Sequence, residues 1–341
     1  MEPLHTAGLL TDLLRQVSRS FYLTVRILPG QIRPQIGLAY LLARTTDTIA
    51  DTDLVPLPER LAALASLRQA ILSEGSAPIQ FPRLAAEQAD PAEKTLLERV
   101  NDSLALLQAT SAPDRQRIRE VLEVIVSGQE LDLRRFADGS AQRIIPLRSL
   151  DELDDYTWRV AGVVGEFWTR MCAAHLFRPG EINEPRLLAD GKRFGQGLQL
   201  VNILRDLPRD LRQGRCYLPE PLLQAAGLKP SDLLDPSRME QLRPGFVELL
   251  QRAREHLSAG WSYTRQIPRH QRRLRLACAW PILIGQATLQ RLQSANILDA
   301  GQRVKVPRRE VRQLLLRSIL LLPFAEAWEN QQGIPPYCSP R

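Results

Sequence analysis

Lysine is nearly missing from this 341-residue chain: of its 45 Lys plus Arg, only Lys94, Lys192, Lys229 and Lys305 are lysines. The formal net charge of +7 is therefore carried by arginine, whose planar fork grips phosphate in a bidentate way. An arginine excess suits a diphosphate, a nucleic acid or an anionic membrane surface, and it is equally what GC-rich coding leaves on a solvated surface. No interleaved aromatics or finger spacings are present, so the usual nucleic-acid signatures are excluded. Cysteine is sparse as well. Cys172, Cys216, Cys278 and Cys338 are far apart, with no C-x-x-C and no Cys/His cluster, which argues against a disulfide framework or zinc site and suits a reducing cytosol. No basic-then-apolar leader opens the sequence, and Leu314 to Leu322 is interrupted by Arg317 and Ser318 before it reaches spanning length. A cytoplasmic protein, soluble or peripheral at the inner face of the cell membrane, is the expectation. No G-x-G-x-x-G loop follows a strand-like run, so a Rossmann half is not expected.

Strand-like alternation is scarce too, and three-to-four-residue apolar spacing takes its place. Ile118, Val121, Leu122, Ile125 and Val126 follow the i, i+3, i+4, i+7, i+8 rule of a helix with one buried stripe. Further helices are expected over 32–50, 58–73, 92–110, 150–178, 185–206, 238–265, 272–297 and 307–329. Breaks fall at Gly75 to Pro82, Asp138-Gly139, Pro179-Gly180 and the stretch 219–236. With 44% hydrophobic and 24% charged residues and no repeat or linker, the economical architecture is one all-α domain over 1–330, followed by a loose proline-containing tail over 331–341.

Two aspartate pairs, Asp47 with Asp51 and Asp206 with Asp210, lie about 160 residues apart. On a helix, residues four apart differ by only about 40° around the axis, so each pair shows two carboxylates on one face. Hard oxygen ligands so placed suit Mg²⁺, which takes a couple of carboxylates plus phosphate oxygens and waters. The spacing alone is weak evidence: Asp151 and Asp155 share it, yet they follow Ser149, with Glu152 three residues on, and read as an acidic, capped helix start. What distinguishes the other two pairs is their company. Tyr40, Arg44, Asp47 and Asp51 share a stripe beside Leu38, Leu41, Leu42 and Ile49; Gln199, Asn202, Asp206 and Asp210 share another beside Leu198, Leu200, Val201 and Ile203. Polar stripes on apolar helices imply a lined cavity, since buried carboxylates persist only if paired or metal-bound. Pro208 removes a backbone donor inside the second motif, which predicts a kink or helix end near residue 206 and leaves Asp210 less securely placed.

With these residues in view, the chain resembles the squalene/phytoene synthase family. The segments that carry the resemblance are Ser18-Arg19-Ser20-Phe21, the first acidic helix from Tyr40 to Asp51, Tyr156 through Val160 to Gly165, and Gln199 to Asp210 followed by Gly214-Arg215-Cys216-Tyr217-Leu218-Pro219. Thr157 stands where the family usually has Cys. The resemblance implies a class I isoprenoid-synthase helical bundle with a central cavity, and a Mg²⁺-dependent, head-to-head condensation of two farnesyl diphosphates. It implies that Asp47, Asp51, Asn202, Asp206 and Asp210 hold magnesium, and that Ser18, Arg19, Phe21, Arg44, Val160, Gln199, Arg205 and Arg215 line the substrate site. Tyr156 and Tyr40 would steer proton removal or steady the cation. Gly162 and Gly165 read as sites of close helix packing.

Squalene formation would also need NADPH. Ala277 to Pro281 and Arg303 to Arg309 look more like the squalene branch, in its bacterial form, than the phytoene branch. There Arg303 and Lys305 could grip a cofactor phosphate or simply open a surface helix. The alternatives are a phytoene or dehydrosqualene synthase, an enzyme stopping at presqualene diphosphate or hydroxysqualene, and an inactive relative serving as assembly factor or lipid-binding scaffold.

Overall fold

Helical periodicity is realised along most of the described residues. The computed structural model describes residues 8–18, 21–75, 77–322 and Trp328. A π-helical turn at Leu9–Leu13 leads into α1 (Leu14–Ser18) and α2 (Phe21–Ile27). Then come α3 (Arg33–Asp51), α4 (Leu57–Leu72), α5 (Pro82–Ala86), α6 (Pro91–Glu98), α7 (Val100–Ala109) and α8 (Ala112–Arg135). After β1 (Ile145–Leu147), the chain forms α9 (Leu150–Thr157), a π segment at Trp158–Gly162, α10 (Val163–His175) and α11 (Glu184–Arg212). Strand β2 (Arg215–Pro219), α12 (Glu220–Ala225), α13 (Met239–Gln266), α14 (Arg272–Ser294) and α15 (Arg308–Leu321) complete it. The fold is all-α, as expected. Strands β1 and β2 pair in parallel, with Ile145 opposite Arg215, and so tie the chain beyond α8 to the chain beyond α11.

Two apolar clusters sandwich the polar centre. Leu41, Leu42, Leu64 and Leu122 join α3, α4 and α8 on one side; Leu204, Leu250, Trp261 and Leu289 join α11, α13 and α14 on the other. Ser149 caps α9 as read, its Oγ accepting from the Glu152 N–H at 3.2 Å, while Asp155 takes the Arg159 guanidinium at 2.9 Å. No helix among the described residues is long and apolar enough to cross a membrane, although Leu316, Ile319 and Leu320 of α15 are exposed.

Three expectations need correction. The stretch 92–110 is two helices meeting at Arg99, and 150–178 is broken by the π segment. Of the kink or helix end expected near residue 206, the end does not occur: the helix carrying the second acidic motif continues through Pro208 to Arg212. An interior proline costs about 3 kcal/mol, but Leu204, Leu207 and Leu211, at i, i+3 and i+7, are at most 1% exposed and hold the helix down past the missing donor.

Gly162 and Gly165 sit at close helix contacts, as expected, a Cβ on Gly162 standing 3.3 Å from the Lys192 carbonyl oxygen, and Gly195 is a further one. A Cβ on Gly165 would stand 1.9 Å from the Gly191 carbonyl oxygen, and one on Gly195 would stand 2.1 Å from the Ala161 carbonyl oxygen. This backbone contact seats the π segment and α10 on α11. Gly165→Ala must push the helices apart, and a loss of about 1–3 kcal/mol or more is expected. Thermal unfolding checks this; a melting temperature equal to that of the unaltered chain would show that the helices have room to part.

Candidate active site

The C-terminal half of α3, the C-terminal half of α8, the π segment, α11 and β2 enclose a cavity of about 270 Å³. Both acidic motifs face it: Asp47 and Asp51 from α3, Asp206 and Asp210 from α11, with Asn202 and Gln199 one and two turns back along α11. Tyr156, Val160 and Arg215 also line it. The geometry thus gathers most of the residues the sequence singled out, including Asp210.

Electrostatics in the cavity is unfavourable without a counter-ion. The Asp47 carboxyl is pushed up to about 7, first by burial and next by the charge of Asp51, against the pull of Arg44 and the Gln129 amide. It is nevertheless open to the cavity, 47% of its side-chain surface being accessible. Protein crowds it on most sides while water still reaches it. Asp210 is likewise pushed up to about 7, by burial and then by Asp206, with Arg215 and Arg209 opposing. Like-charged carboxylates a helical turn apart resist joint ionisation.

Behind the acidic face stands a network that the sequence reading missed. Asp132 of α8 accepts from the Tyr217 hydroxyl at 2.9 Å and pairs with Arg215 at 3.6 Å. Burial pushes its carboxyl up to about 6 despite those partners. Tyr217 stacks on Tyr156, ring centroids 4.9 Å apart. Burial, and then the nearby Asp132 charge, hold the Tyr156 phenol well above its ordinary range. Gln129 of α8 donates its amide to Asp47, and Arg209 and Gln213 extend the α11 lining. The signal for Gln129 and Asp132 was present: they continue the stripe of Ile118, Leu122 and Ile125 by helical spacing, an apolar stripe that abruptly turns polar.

Several residues expected at the site do not themselves line the cavity. Tyr40 stacks on Phe21 at 4.8 Å. Arg44 pairs with Glu93 and with Asp47, the latter at 3.8 Å. Arg205 forms a fork on Asp206, at 2.8 and 2.6 Å. The Ser18 hydroxyl donates to the Leu14 carbonyl of its own helix. None of these lines the cavity, and Arg19 lies outside the described residues. Arg303 and Lys305 are exposed on the segment before α15 and do not line the cavity either.

Residues 14–310 match the squalene/phytoene synthase family. The chain belongs to that family. Curated relatives include a bifunctional lycopene cyclase/phytoene synthase of Arthroderma gypseum, 29% identical over 71% of this chain and 39% of that protein. Another, from Phaeosphaeria nodorum, is 32% identical over 69% of this chain and 38% of its own length. The chain therefore spans about two fifths of such relatives. Among solved structures, the complex of TcSQS with a ligand superposes with a TM-score of 0.74 at 18% identity, covering 96% of this chain and 93% of that one. A dehydrosqualene synthase gives 0.66 at 21% identity over 95% and 97%. The squalene synthase HpnC of Alicyclobacillus acidocaldarius gives 0.59 at 19% identity over 85% and 94%. At these identities the structures establish the fold alone; the family that residues 14–310 match is one of prenyltransferase-type synthases.

Proposed function

We propose that this chain condenses two farnesyl diphosphates head to head, through presqualene diphosphate, toward squalene. The observation that carries this is the convergence of Asp47, Asp51, Asp206 and Asp210 on one cavity beside Arg215. The donor set fits Mg²⁺. Each pair offers two carboxylates and Asn202 adds an amide, hard oxygen donors of the kind Mg²⁺ takes together with phosphate oxygens and water; among the described residues no three acidic, His or Cys side chains are grouped closely enough to hold an ion by themselves. When bound, magnesium would supply the positive charge that the diphosphates need against four aspartates.

The chain's own residues account for the rest. Arg215, on the cavity wall, adds a fixed cation at the leaving diphosphate. The allylic C–O bond breaks, its electron pair leaves with the diphosphate, and the double bond of the second prenyl chain attacks the allylic carbon. Loss of a proton then closes the cyclopropane. Tyr156 is too weak an acid to serve as a phenolate near neutral pH. Its place, with a ring stacked on Tyr217 and that hydroxyl anchored to Asp132, suits a neutral phenol whose oxygen and π face steady the cation. Tyr156→Phe should keep the ring and lose the oxygen, lowering kcat on the order of a hundredfold with KM little changed. An unchanged kcat in steady-state assays would remove the hydroxyl from the chemistry.

The catalytic unit is proposed to run to about residue 330, the tail over 331–341 lying outside the described residues. NADPH is a separate matter. Arg303 and Lys305 stand away from the cavity lining, and no step through the cofactor follows from them. With phytoene synthases among the relatives, a C30 or longer product made without hydride transfer is the second reading. Incubation with farnesyl or geranylgeranyl diphosphate and Mg²⁺, with and without NADPH, followed by product identification, decides. Squalene only with NADPH supports the first reading; a product indifferent to NADPH supports the second. No turnover of either substrate would overturn both and leave the scaffold alternative.

A further inference from the structure

A second cavity, of about 410 Å³, adjoins the acidic one: Leu133, Gln213 and Arg215 line both. Its charge has the opposite sign. Among the described residues, five carboxylates and two guanidiniums line the acidic cavity, whereas Arg60, Arg212 and Arg215 face a single carboxylate, Asp53, in its neighbour. Arg60 projects from α4, and its Nη1 donates to the Ala50 carbonyl at 2.8 Å. That bond pins it against the last turn of α3. Its Nε is buried and has no hydrogen-bond partner, an unusual state for a buried donor. Burial and the facing charge of Arg215 also lower its pKa against the pull of Asp53 and Asp51, while Arg215 keeps its ion pair with Asp132 on the acidic side. Three guanidiniums against one carboxylate make a floor that suits an anion.

We propose that this basic vestibule binds a diphosphate group in its metal-free form, beside the cavity that takes the metal-bound form. The choice of diphosphate among polyanions rests on the function proposed above. A metal-free diphosphate is repelled by the carboxylates of the acidic cavity and attracted by three guanidiniums that offer bidentate donors. Arg215, on the shared wall, can reach an anion on either side. The vestibule is thus a station for a diphosphate that has shed its ions or has not yet met them. Two sources share this chemistry: the inorganic pyrophosphate released by ionisation and the headgroup of an arriving prenyl diphosphate.

The test is calorimetric titration of the full chain with sodium pyrophosphate in EDTA, repeated with isopentyl diphosphate. The unaltered chain should bind, the Arg60→Gln/Arg212→Gln double variant should bind at least tenfold more weakly, and Asp206→Asn should bind as well as the unaltered chain. If Arg60→Gln fails to fold for want of its bond to Ala50, Arg212→Gln alone at the exposed rim should still weaken binding severalfold, and Arg60→Lys should retain it. Equal binding of isopentyl diphosphate assigns the vestibule to arriving headgroups; selective binding of pyrophosphate assigns it to the leaving anion. Either supports the site. Absence of binding in EDTA, or binding indifferent to Arg60 and Arg212, overturns it. Turnover without such binding sinks the vestibule alone, and such binding without turnover sinks the proposed reaction alone.

Discussion

Asp47→Asn and Asp206→Asn should each lower turnover by on the order of a thousandfold while leaving helical content unchanged. The amide keeps the shape and loses the charge, and the charge is what a magnesium ion would hold to. The metal-free folded state should respond in the opposite direction. Asp47 is raised to about 7 by burial and by Asp51, so at pH 8 its ionised form opposes folding, and Asp47→Asn removes that opposition. The expected pair of results is a near-dead enzyme with a melting temperature in EDTA at or above that of the unaltered chain. Asp206 is held by the Arg205 fork, so Asp206→Asn also loses an ion pair and should gain less, or nothing, in stability. Full activity in either variant, measured with farnesyl diphosphate and Mg²⁺, would contradict the assignment of these carboxylates to the ion. Loss of activity together with loss of helical signal would instead make them structural.

What could be read from the sequence follows from what helical geometry encodes. Angular position around a helix is set by 3.6 residues per turn, so the stripes of Asp47 and Asp51 on α3 and of Gln199, Asn202, Asp206 and Asp210 on α11 were legible before any coordinates. Position along the axis relative to a partner is not encoded locally. Tyr40 and Arg44 share the stripe of Asp47, but Tyr40 lies seven residues back, about 10 Å along the axis at 1.5 Å per residue. There it meets Phe21, while Arg44 bridges Glu93 and Asp47. Tyr217 stands in a segment that carries the family resemblance, but on a strand, where helical spacing says nothing of its direction, and it lines the cavity from β2. The helix end that Pro208 suggested did not follow because a local rule met a tertiary one: Leu204, Leu207 and Leu211 bury the helix on both sides of the proline. The glycines, by contrast, were read correctly because a Gly-rich helix face without a phosphate-loop pattern has close packing as its natural use.

Magnesium should stabilise this protein more at pH 8 than at pH 5.5. Three carboxyls of the site have folded-state values above the ordinary aspartate value near 3.9: Asp47 and Asp210 at about 7, Asp132 at about 6. A carboxyl raised by folding keeps its proton in the native state while the unfolded chain has already released it. Between about pH 4 and 7 the native state therefore binds more protons, and its stability falls as pH rises through that window, the slope following the proton difference. Above about 7 both states are ionised and the penalty is constant. A divalent ion acts on the same carboxyls with the opposite sign, favouring the ionised form and competing with the protons. Its stabilising effect should be small at pH 5.5, where Asp47 and Asp210 are mostly protonated, grow through pH 7 and level off beyond it. Thermal unfolding in EDTA and in millimolar MgCl₂ across that range reads this directly. In EDTA the melting temperature should decline toward neutrality, and the gap between the two curves should widen over the same interval. A gap independent of pH would mean that the ion binds groups already ionised at pH 5.5, and that the raised carboxyls of the two acidic motifs are not its ligands.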